Sequence, residues 1–238
     1  MATATDIEVV DLSVTPLREL NQRLHDAKHG GPRSWRIVNP NGAHAIACGI
    51  DAELEVTVEG HTGYYAAGMN KHAHVTIDGN AGVGVAENIM SGRIDITGNA
   101  SQACAATGRG GLVVVNGNAA ARCGISMKGV EIVVKGDIGH MSAFMAQSGA
   151  LVVCGDAGDA LGDSIYETHI YVRGSVKGLG ADCIEKELKE FHREELGRLL
   201  EAAGANAKVD EFKRYGSARQ LYTFNNDNDG AYEGADDD

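Results

Sequence analysis

Val113-Val-Val-Asn-Gly-Asn-Ala-Ala120 is followed 19 residues later by Ile132-Val-Val-Lys-Gly-Asp-Ile-Gly139, and this echo decides the fold. The same phrase recurs in both directions along the chain. Its central glycines are Gly60, Gly79, Gly98, Gly117, Gly136, Gly155 and Gly174, seven positions at a constant step of 19. One more step toward the N-terminus reaches Ile37-Val-Asn-Pro-Asn-Gly42, a degenerate copy. A fixed period of this length is the signature of a solenoid.

Each copy contains one strand of period two. Four and two residues ahead of the glycine stand Val56 and Val58, Val75 and Ile77, Ile94 and Ile96, Val113 and Val115, Ile132 and Val134, Leu151 and Val153, and Ile170 and Val172. The residue just before the glycine is mostly polar and faces out. So short a strand cannot bury its apolar face alone, but copies stacked about 4.8 Å apart close a continuous core. No part of the repeat reads as a helix, which excludes ankyrin-like and leucine-rich solenoids. The expected fold is therefore all-β, a single-stranded-type right-handed parallel β-helix of about seven 19-residue coils. Its hand follows from the general preference of parallel crossovers. The corner glycine is expected to supply a positive φ. Asn80, Asn99, Asn118, Asp137 and Asp156, which follow it, are expected to form a stacked turn ladder.

The flanks complete the domain plan. Residues 1–36 read as an N-terminal strand and helix cap, 37–182 as the β-helix, 183–224 as a helical C-terminal extension and 225–238 as an acidic disordered tail. Thr15-Pro16 opens a helix running to about Lys28. Cys183 to Ala203 reads as a second helix with a stripe of Ile184, Leu188, Phe191, Leu199 and Ala202. The pairs Glu185–Lys189 and Glu194–Arg198 have the spacing that supports such a helix. A short helix is expected over Lys208–Tyr215, and an extended stretch over Ser217–Phe224.

Composition narrows the function classes. The formal net charge is −12, and the six acids of residues 225–238 leave −12 + 6 = −6 on the body. Nucleic acid and anionic membrane are poor partners for such a surface. Aromatic residues make up 5% of the chain, so the core must be built from small and β-branched side chains. Five cysteines, no CxxC pair and no signal-peptide pattern point to a reducing cytoplasm. Glycine and charge interrupt every apolar run before it reaches membrane-spanning length.

Chemistry-bearing motifs are sparse. Gly108-Arg-Gly-Gly111 and Gly139-His-Met-Ser142 lack the Gly-Lys-Ser/Thr of a phosphate loop. His72 and His74, with His61 nearby, suggest a small metal site, but nothing is placed to complete its shell. Cys104 and Cys123 stand 19 apart, with Ala66, Val85, Ser142 and Leu161 as their coil equivalents. A buried thiol column is the expected reading. Asp137 and Asp156 stack in the turn ladder, yet the chain lacks the period of nine found in calcium-binding β-helices. No catalytic residue and no metal ligand is nominated.

The stretch Met127-KGVEIVVKGDIGHMSAFMAQSGALVVCGDAGDALGD resembles the glycine-patterned (GXGXG-type) β-helix at the C-terminal end of the glutamate synthase large chain. A similar domain is a subunit of formylmethanofuran dehydrogenase. The likeness covers about residues 37–183, although the later coils lose the family's double glycine before the strand. The Gly178-Leu-Gly-Ala-Asp-Cys183 ending and the appended helical tail resemble the free-standing β-helix subunit of N-methylglutamate synthase (methylamine–glutamate N-methyltransferase). That resemblance implies a non-catalytic scaffold in a hetero-oligomer with two partners, a glutaminase-like amidotransferase subunit and an FMN/iron–sulfur synthase subunit. It implies no cofactor on this chain, with FMN and the cluster on a partner. An ammonia-using split glutamate synthase, a formylmethanofuran dehydrogenase subunit and an independent β-helix enzyme such as a lyase are the alternatives. Lyases of this fold carry long irregular loops, against the strict period here.

Overall fold

The computed structural model describes residues 7–219, so the acidic segment 225–238 and the stretch 220–224 lie outside the described residues. Among the described residues, eleven strands form one sheet. In chain order they are β1 (Ile7–Asp11), β2 (Ser34–Val38), β3 (Glu55–Glu59), β4 (His74–Asp78), β5 (Arg93–Ile96), β6 (Leu112–Val115), β7 (Lys128–Val134), β8 (Ser148–Val153), β9 (His169–Val172), β10 (Cys183–Lys186) and β11 (Lys213–Ser217). Two helices, α1 (Leu17–Asp26) and α2 (Glu190–Ala202), flank the array. β1 to β9 are all parallel and lie in chain order, as the right-handed parallel β-helix of about seven turns requires.

The repeat step appears directly as sheet register. Val56 pairs with Val75, Val75 with Ile94, Ile94 with Val113, Val113 with Ile132, Ile132 with Leu151 and Leu151 with Ile170. The degenerate first coil departs from that step. Trp35 pairs with Val56 and Ile37 with Val58, so this coil is longer by two residues. Side-chain direction alternates with period two, so a slip of two leaves Ile37 facing the core. Both Trp35 and Ile37 are buried. Just past the corner of each coil, a second ladder of single bridges links Ala81, Ala100, Ala119, Ile138, Ala157 and Val176.

The rest of each coil uses an unusual backbone. Three residues, two apart, take left-handed φ in successive coils, as at Ala103 (59°), Ala105 (53°) and Thr107 (56°). Each non-glycine residue in this region costs about 1–2 kcal/mol. Neighbouring coils hold them there. The Ala103 N–H donates to Ala121 O at 3.0 Å, that of Ala105 to Val85 O at 2.8 Å and that of Thr107 to Ile125 O at 2.9 Å.

The first coil has no predecessor to supply such acceptors, and α1 takes that place. Its Leu20 and Leu24 are buried against the open core. Asn21 Oδ1 accepts from the Ala47 N–H at 3.0 Å, and its Nδ2 donates to Ala45 O at 2.8 Å. His25 Nε2 lies 2.8 Å from Cys48 O. One amide side chain thus replaces two backbone partners.

The C-terminal end differs from expectation. Cys183 opens strand β10, not a helix, and α2 begins only at Glu190. The expected helix over Lys208–Tyr215 is a single 3-10 turn, Val209–Glu211, followed by β11. Strand pairing overrides local helical preference here. β11 inserts antiparallel between β9 and β10, pairing Tyr215 with Ile170 and Ser217 with Cys183. It thereby covers the last open edge of the stack. Glu185 bonds Lys213 at 2.9 Å and Arg198 bonds Glu131, so the two expected helix pairs are not made as such.

Removing the Asn21 side chain strands two backbone groups. Asn21→Ala is expected to lower unfolding free energy by about 1–3 kcal/mol. Urea unfolding of the two proteins measures this; an unchanged midpoint would show that α1 does not cap the stack in this way.

Candidate functional site

The turn ladder is a chain of side chain to backbone bonds. Asn80 Oδ1 accepts from the Asn99 N–H, Asn99 Oδ1 from Asn118, Asn118 Oδ1 from Asp137 and Asp137 Oδ1 from Asp156, each at 2.8 Å. Asp156 Oδ1 accepts from the Ser175 N–H at 2.6 Å, and His61 Nδ1 from the Asn80 N–H at 2.9 Å. Every bond spans one coil.

The corner glycines serve this ladder, and the positive-φ explanation fails for six of the seven. Only Gly60 has such a φ, at 131°. At Gly98, Gly117, Gly136, Gly155 and Gly174 a Cβ would collide with the Oδ1 of the preceding coil's Asn or Asp. At Gly79 it would come within 2.8 Å of Gly60 O and 2.9 Å of His61 Nδ1. Glycine is needed because the ladder side chain occupies the space of its β-carbon.

The other candidates resolve into packing and ion pairs. Cys104 and Cys123 are fully buried, as are Ala66, Val85, Ser142 and Leu161 of the same column. The neighbouring Cys104 side chain, with burial, pushes the Cys123 thiol well above its ordinary range. His72 precedes β4 and lies 3.7 Å from Asp51. His74 turns elsewhere, with Nδ1 at 2.9 Å from Glu55 and Nε2 at 2.7 Å from Asp95. Arg93 Nε also donates to Asp95, at 2.6 Å. Among the described residues, no group of three or more His, Cys, Asp or Glu is arranged to hold a metal ion.

The outer sheet face carries a second pattern. Three positions before each glycine stand Thr57, Thr76, Asp95, Val114, Val133, Val152 and Tyr171. The last four are apolar and buried although they point out of the coil. They form a second core with Leu196, Leu199, Leu200, Ala203 and Phe212. So α2 lies across the outer wall and does not cap the end. Ile184 and Phe191 of the expected stripe are exposed. Thirteen helical residues span about 20 Å, and four strand spacings from β9 to β5 span about 19 Å. Arg93 of β5 accordingly donates to Ala202 O at 2.9 Å, where a cation also favours the helix C-terminus. The switch from Thr and Asp to Val and Tyr was the available signal.

At the other end, α2 is held by a polar cluster. Glu195 Oε2 accepts from Tyr171 Oη at 2.5 Å and lies 2.8 Å from His169 Nδ1. Burial would raise this carboxyl, but those two bonds outweigh it and hold Glu195 below its ordinary range. His192 is buried, and its Nδ1 accepts from the Lys189 N–H at 3.1 Å. Burial, then the charges of Arg214 and His169, pushes His192 down to about 3.

Fold and ladder define a glycine-patterned β-solenoid with one helix bound to its outer wall. No family model matches the chain. It is 61% identical over 226 residues to the protein GlxC of Rhizobium meliloti (strain 1021), covering 94% of this chain and 99% of that protein. The chain belongs to the GlxC family.

Two outcomes follow from this geometry. Gly117→Ala is expected to cost about 1–3 kcal/mol by overpacking. Adding Asn99→Gly should recover part of that loss, because the colliding Oδ1 is gone; strictly additive losses in a denaturation cycle would contradict the shared space. His192 has its folded value depressed below the unfolded one of about 6.5, so its contribution is complete above that pH. It drains away as pH falls from there toward 3. The melting temperature should therefore drop with acidification, more shallowly in His192→Gln; parallel curves would refute the assignment.

Proposed function

We propose that this chain is the non-catalytic β-helical subunit of a heteromeric, glutamate-synthase-related flavoenzyme. The observation that carries this reading is the strict Gly-Asn/Asp ladder, which resembles the glutamate synthase large-chain β-helix over the whole repeat array. A wall whose coils are locked to one another by backbone bonds suits a frame that holds catalytic chains at fixed spacing. The specific enzyme we propose is N-methylglutamate synthase, which converts methylamine and glutamate into N-methylglutamate and ammonia. Its partners here would be a glutaminase-like amidotransferase subunit and a synthase subunit carrying FMN and an iron–sulfur cluster. No helix among the described residues is long and apolar enough to cross a membrane, and we place the assembly in the cytoplasm.

Native purification on a tag attached to this chain tests the reading. Two partner chains and a flavin spectrum are expected, with the isolated chain colourless and turnover of methylamine and glutamate requiring all three chains. Full synthase activity from this chain alone would overturn the proposal, as would co-purified tungsten or molybdenum without flavin.

A further inference from the structure

β11 closes only the strand side of the last coil. Beyond it, two apolar columns end uncovered among the described residues. Cys123, Ser142 and Leu161 are at most 1% exposed, but the next member of their column, Leu179, is 41% exposed. The buried column of Ala119, Ile138 and Ala157 likewise ends in a half-buried Val176. The single-bridge ladder stops at that same Val176, and a further bridge joins Leu161 to Leu179. In the preceding coil the Ala157 N–H donates to Ser175 O at 2.8 Å and the Leu161 N–H to Gly178 O at 3.1 Å. Their counterparts, Val176 and Leu179, have no following coil among the described residues to supply such acceptors.

The chain itself turns back along this end. β11 runs antiparallel to β10, with Gly216 opposite Ile184 and Ser217 opposite Cys183. The pairing outlasts the strand. The Ala218 N–H donates to Asp182 O at 2.7 Å, and Arg219 forms an ion pair with Asp182 at 2.7 Å. One residue forward on this arm thus matches one residue back on the last coil. Continued at that step, the register sets Leu221 opposite Leu179 and Phe224 opposite Val176. The run Gln220-Leu-Tyr-Thr-Phe224 is uncharged, and the acids begin only at Asp227.

We propose that residues 220–224 dock along residues 176–180 as a cap on the C-terminal mouth of the β-helix. Leu221 and Phe224 cover Leu179 and Val176. A solenoid needs such a cover, because its last coil otherwise presents apolar core to water. Extended, five residues span about 17 Å, enough to follow the last coil residue for residue.

Residue-resolved hydrogen exchange on the whole chain tests this. The Val176 and Leu179 amides are expected to be protected like those of Ala157 and Leu161, and the amides of 220–224 with them. Leu221→Asp should speed exchange at Val176 and Leu179 about ten-fold or more through lost apolar burial. Leu221→Met should keep the original rates, with Val113 protected in both variants. Fast exchange at Val176 and Leu179 in the unaltered chain would overturn the proposal. So would slow exchange that Leu221→Asp leaves unchanged; with a doubled mass in solution, that result would assign the cover to a second copy.

Discussion

After Gly98, Gly117, Gly136, Gly155 and Gly174 the next backbone N–H donates to an Asn or Asp side chain one coil earlier, and the architecture hangs on that bond. It fixes the step between coils, because any insertion would carry the amide away from its acceptor. It also dictates glycine at the corner, since the accepting oxygen lies where a β-carbon would be. With the step held constant, the inward valines and isoleucines fall into unbroken columns. The left-handed residues on the far side then find their inter-coil partners without adjustment. Local strain is thus sustained by long-range regularity, so the stack needs caps that imitate a coil. Asn21 does this at one end and β11 at the other.

A regular wall of this kind has two faces with different duties. The inner face is filled by aliphatic side chains. The outer face divides along its length, with Thr57 and Thr76 toward the N-terminal end and a buried Val114–Tyr171 strip under α2 toward the other. Polar anchors near the middle and at the C-terminal end of α2, Glu195 to His169 and Tyr171, and Arg93 to Ala202 O, set its position along the strip. A rigid wall with one half dressed by its own chain leaves the other half for neighbours, consistent with the scaffold role proposed for it.

Much of this was legible in the sequence because it repeats. A constant step of 19 needs no tertiary knowledge to become sheet register, and Val56 through Val172 could be oriented from alternation alone. Three features were not legible, each for a physical reason. The glycine requirement is a contact between coils, invisible in a local reading that knows glycine chiefly for its φ. The first coil's extra two residues are hidden because an even slip preserves the inward pattern. The C-terminal segment was misread where tertiary pairing decides: Cys183–Lys186 and Lys213–Ser217 carry helix-compatible charges but complete a sheet edge. The Val114–Tyr171 strip was present in the sequence, but it stands out only when outer positions are compared across coils.

Hydrogen exchange at the ladder amides tests the central constraint most directly. The N–H groups of Asn99, Asn118, Asp137 and Asp156 lie in solvent-facing corners, where an ordinary turn amide exchanges quickly. The inter-coil ladder predicts that they exchange as slowly as the amides of Val113 and Ile132 in the strands, through global unfolding. Rapid exchange at these corners, with the strands still protected, would contradict it.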